Sequence, residues 1–158
     1  MDNRRGYRIG EVQELTALSY RQIDYWVRSG LIAPLVVQKG KRMERVFNFE
    51  NLVVIRAAMQ LLDFGVDFTA VKKAAAWLQE SFSNGRKGSY LFVADGEEFN
   101  LLTDDPAEII EFMKGRCVLT IDIAQIAKRL KSDTRALSAL KDKKDNRRRY
   151  AVPVIESA

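Results

Sequence analysis

Apolar residues recur at helical spacing four times in the first half of the chain. Ile9, Val12 and Leu15 form one such stripe, Ile23, Trp26 and Val27 a second, Leu52, Ile55, Met59 and Leu62 a third, and Val71, Ala74, Ala75 and Leu78 a fourth. Cap residues mark where these helices begin. Ser19 with Gln22 makes a capping box that starts the second helix at Tyr20, Asn48 precedes the third helix, and Asp67 precedes the fourth. Gly30 and Gly65 suit the left-handed position after a last turn, and Pro34 stops the chain from resuming a helix. Between Pro34 and Asn48 the pattern changes to two short strands, Leu35 to Gln38 and Arg45 to Asn48, around a basic loop from Lys39 to Glu44.

After Phe82 the stretch from Ser81 to Ser89 is rich in glycine and serine and reads as a linker. Ser89 to Val93 and Glu97 to Leu102 then flank Ala94-Asp95-Gly96, a hairpin signal. Asp105 followed by Pro106 starts a helix that should run to about Lys114 and end at Gly115. Arg116 to Ile121 suits a third strand, and Ile123, Ile126, Ala127 and Leu130 mark a further amphipathic helix. The expected fold is mainly α with small β elements, a winged helix-turn-helix followed by a small α+β accessory domain. The expected boundaries are 1–82 for the first domain, 83–88 for the linker, 89–131 for the second and 132–158 for a basic tail.

Two short helices joined by the tight connector Thr16-Ala17-Leu18, with a polar and aromatic front on the second, match the unit whose recognition helix enters the DNA major groove. In this reading Tyr20, Arg21, Gln22 and Tyr25 meet bases and nearby phosphates, while Ser19 fixes the helix start against the backbone. An ordinary helical hairpin with solvated arginines is the competing reading of that segment alone. The following loop favours DNA: Lys39, Lys41, Arg42 and Arg45 set four cations against Glu44, a composition suited to phosphates.

These residues resemble the MerR family of bacterial transcriptional regulators. Tyr7, Ile9-Gly10-Glu11, Thr16-Ala17-Leu18-Ser19, Arg21, Tyr25-Trp26, Gly30-Leu31-Ile32 and Pro34 follow the family's pattern, as do Arg45-Val46-Phe47 and Glu50-Asn51-Leu52. The likeness covers Tyr7 to Phe82. It implies a cytoplasmic homodimer on an inverted repeat of double-stranded DNA, regulating transcription by distorting a promoter bound by RNA polymerase. Two departures stand out. Many relatives have a base where this chain has Asp24, which as an acid can accept a hydrogen bond from cytosine. The long helix that pairs subunits as a coiled coil in well-known members is interrupted by the break after Ser81.

Net charge is +5, with 26 Lys and Arg against 21 Asp and Glu, and the surplus lies late in the chain. Residues 128–149 hold ten cations and three acids, so their excess of seven exceeds the total. Such a segment suits DNA flanking a site, an acidic region of a partner subunit, or solubility alone. Ile123 to Leu137 also faintly suggests another helix-turn-helix. With no histidine and the single Cys117, the chain offers neither the usual zinc ligands nor a Ser-His or Cys-His pair, so no enzyme, metal site or cofactor is expected. The apolar neighbours of Cys117 predict a buried structural thiol. The acids around the second hairpin read as solubilising and capping residues. No apolar run is long enough to span a membrane, and the start lacks a signal-peptide core. Two other functional classes fit the composition: an architectural or segregation-type DNA-binding protein, and a protein-binding module for an acidic partner.

Overall fold

The computed structural model describes residues 6–95, 98–103 and 105–156, with side chains described as far as Asp145. Gly96 and Glu97 of the expected hairpin turn, the acid Asp104 and the first five residues lie outside them. The described chain is mostly helical, with two small antiparallel sheets.

The four expected helices of the first half form, three of them where their caps predict. Helix α1 spans Ile9–Thr16 and α2 spans Tyr20–Arg28, with Ser19 Oγ accepting the Gln22 backbone N–H at 3.2 Å and Gln22 Oε1 accepting that of Ser19 at 2.9 Å. Helix α3 covers Phe49–Asp63, capped reciprocally by Asn48 and Asn51, and α4 covers Phe68–Ser83, capped by Asp67. Strand β1 (Leu35–Lys39) pairs with β2 (Arg42–Val46). The expected loop from Lys39 to Glu44 is therefore mostly strand. Gly40, at a φ of 63°, allows the chain to reverse within Gly40-Lys41, so pairing continues to Lys39 and Arg42.

In the second half β3 (Tyr90–Ala94) lies between β4 (Glu98–Leu102) and β5 (Val118–Asp122), antiparallel to both. Helix α5 (Pro106–Met113) starts on Asp105, as its sequence predicts, and packs Phe112 edge-on against Phe92. Cys117 is exposed, contrary to the expectation of a buried thiol. It precedes the first residue of β5, where its carbonyl accepts from Asp95 and its side chain misses the core.

The largest departure concerns the carboxyl end. One helix, α6, runs from Ile123 to Glu156 without a turn at 131–132, so the faint second helix-turn-helix does not form. Ile123, Ile126, Leu130 and Leu137 bury one stripe of α6, and it packs on α3, α1 and β3. The resulting core is continuous. Val12, Ile23, Leu52 and Leu78 of the first half share one buried cluster with Leu91, Ile121 and Leu130 of the second. The connector at 83–88 thus joins two stretches of chain around a common interior. Among the described residues, no helix is long and apolar enough to cross a membrane.

Candidate nucleic-acid interface

Helix α2 owes its orientation to its apolar side. Ile23 and Trp26 are almost fully buried, which turns the opposite face, bearing Tyr20, Arg21, Gln22 and Tyr25, to solvent. Tyr20 and Tyr25 remain 55% and 58% exposed, large values for aromatic rings. Tyr25 is steadied from one side: its ring lies 5.3 Å from that of Phe68 at the start of α4. Arg21 is exposed and makes no ion pair with a described residue. Gln22 is partly committed, since its side-chain oxygen caps the helix.

The turn leading into α2 is tight because Thr16 Oγ donates back to the Val12 carbonyl at 2.7 Å and accepts the Leu18 N–H at 3.3 Å. Ala17 occupies the left-handed region at a φ of 61°, a conformation that favours glycine. The far end of α2 is held by α4. Gln79 Nε donates to the Leu31 carbonyl at 2.6 Å and its oxygen accepts the Ala33 N–H at 3.0 Å.

The β1–β2 ribbon stands beside α2 and projects from the core, since every residue of β1 is exposed. Its base is pinned by paired backbone hydrogen bonds between Tyr7 and Phe47 at 2.7 and 2.8 Å. At its tip Lys41 and Arg42 are exposed and make no ion pair with a described residue, while Lys39 pairs with Glu44 at 3.5 Å. Glu44 also receives Arg8, the residue before α1, at 3.2 Å.

Arg45 and Asp24 join the two elements. The Arg45 guanidinium turns inward and donates to Asp24 at 2.8 Å, tying the ribbon to α2, so this cation is occupied where a phosphate contact was expected. Asp24 also holds Arg28, one helical turn on, at 3.0 Å. The Arg45 hydrogen bond, aided by both positive charges and opposed by partial desolvation, holds the Asp24 carboxyl below the ordinary carboxylate range. Asp24 is thus a tether between two elements, engaged by arginines rather than open toward a base. Its two partners also explain why an acid is tolerated on this helix.

Four of the nine expected contact residues, Tyr20, Arg21, Gln22 and Tyr25, lie on one exposed face, and Ser19 caps the same helix. Lys39, Lys41 and Arg42 gather at the ribbon tip, and Arg45 lies between the two elements. Phe68 and Gln79, which position these groups, escaped the sequence reading, and Asp24 was read there as an acceptor for a base, because each acts through a partner distant in the chain.

Comparison with known proteins agrees with this arrangement. The family model for MerR HTH family regulatory proteins matches residues 7–76. Uncharacterized HTH-type transcriptional regulators from Mycobacterium bovis and from two strains of Mycobacterium tuberculosis are each 26% identical over 111 residues. That alignment takes in 70% of this chain and 48% of theirs, so the chain spans about half the length of the curated relatives it matches. Helix-turn-helix geometry, capping and family pattern coincide over the same residues, and the segment 7–76 of this chain is a domain of the MerR HTH family.

Proposed function

We propose that the protein is a sequence-specific DNA-binding regulator of transcription, with residues 1–82 as its winged DNA-binding unit. In this reading α2 enters the major groove, with Arg21 reading base edges and Tyr20, Gln22 and Tyr25 at bases and adjacent phosphates. The β1–β2 ribbon is the wing, and Lys39, Lys41 and Arg42 hold the backbone beside it. Arg45 acts through Asp24, keeping the wing in register with α2. The protein works in the cytoplasm as a homodimer on an inverted repeat, close to promoter-bound RNA polymerase, and is not an enzyme.

One observation carries the reading. The outward face of α2 presents an arginine with no ion-pair partner among the described residues, between exposed aromatic rings, while its other face is locked in the core, an arrangement that folding alone does not require. The test begins with genomic fragments captured by the full-length protein and footprinted. A compact protected palindrome is expected, and Arg21→Ala should cost about tenfold to a hundredfold in affinity for it, the worth of one bidentate base contact. Uniform coating of DNA, or an Arg21→Ala protein that binds the fragment as tightly as its parent, would overturn the proposal.

A further inference from the structure

The direction of α6 follows from two ion pairs. Asp133 meets Arg56 at 2.6 Å, and the same guanidinium nitrogen donates to the Leu15 carbonyl near the C-terminal end of α1. Eight residues later Lys141 reaches Glu11, in the first turn of α1, at 3.0 Å. Helix α6 therefore runs antiparallel to α1 and leaves the core beyond the N-terminal end of α1, where Arg8 joins the ribbon through Glu44. The remaining helix continues to Glu156, a projection of about 22 Å at 1.5 Å per residue.

The described side chains of the projection suit a polyanion. Leu137 closes the buried stripe, and Leu140 is already 57% exposed. Seven residues beyond Leu137 the same stripe carries the exposed Lys144, where a coiled coil needs an apolar seam. Lys143 and Lys144 are exposed, and the sequence adds three arginines at 147–149. We infer that the end of α6 is a third DNA-contacting element, a basic arm that binds phosphates next to those held by the ribbon, without reading sequence. The inference rests on the DNA-binding function proposed above and extends its footprint.

Because phosphate contact is indifferent to sequence, a mixed-sequence 40-base-pair duplex serves as the probe, with affinity followed by anisotropy across a salt series. Losing two phosphate contacts should lower the slope of log affinity against log salt by about 1.8, and affinity at 0.1 M salt by about sixtyfold. Lys143→Gln/Lys144→Gln should show both losses, and Lys143→Arg/Lys144→Arg should restore the parental slope. A parental slope in the glutamine pair overturns the arm, and if that pair has instead lost binding to polyglutamate, the surface belongs to an acidic protein. Failure of the regulator reading looks different: Arg21→Ala then leaves the preference for captured fragments over the mixed duplex untouched, whatever the lysine pair does.

Discussion

Leu130→Ala tests whether α6 is part of the same cooperative unit as the helix-turn-helix. Leu130 is 0% exposed within the cluster that spans both halves of the chain, so truncation leaves a cavity with few ways to collapse. Buried Leu→Ala changes cost about 3 kcal/mol when the site relaxes only partly. For 158 residues, an unfolding entropy of about 0.33 kcal/mol/K converts that loss into a fall of about 9 °C in Tm. Thermal unfolding followed by circular dichroism should show one transition displaced by this amount. Leu140→Ala, on the exposed continuation of the same stripe, should stay within about 0.5 kcal/mol of the parent. Two separated transitions, with the first half melting at its parental temperature, would refute the shared core. So would equal effects from the two leucines, because burial is the only property that distinguishes them here.

Ala17→Gly should raise stability by about 0.5 to 1 kcal/mol in urea titration, since it relieves a left-handed alanine at the price of a freer unfolded chain. Asp24 has a carboxyl pKa lowered by folding, so its stabilising contribution is complete above the unfolded pKa and is lost as pH falls through the folded one. Asp24→Asn should accordingly lose less stability than the parent between about pH 5 and pH 3, measured by urea midpoints. Cys117 should react with a thiol reagent in the native protein as fast as in denaturant, and protection by folding would contradict its exposure.

Local signals made the helix starts legible. Ser19, Asn48, Asp67 and Asp105 each bind backbone within three residues, so a short window of sequence contains the whole interaction. Exposure of the α2 front was legible for the same reason, as helical spacing places Ile23 and Trp26 opposite Arg21. Ties between distant residues left no comparable trace. Asp24 finds Arg45 across 21 positions and Arg56 finds Asp133 across 77, and nothing near either acid announces its partner. The reach of α6 was hidden by composition: its charged second half reads as a tail, although Lys, Arg, Ala and Leu are also good helix formers and no glycine interrupts them. Cys117 misled because apolar neighbours indicate burial only inside an element, and it stands just before one.

Since α6 roofs α3, the helix-turn-helix half is not a detachable cassette. A graft that moved residues 1–82 onto a foreign partner would have to bring along a substitute for Ile123, Ile126, Leu130 and Leu137, or leave an oily flank bare. Divergence at those four positions is thereby coupled to divergence in the interior of the first half.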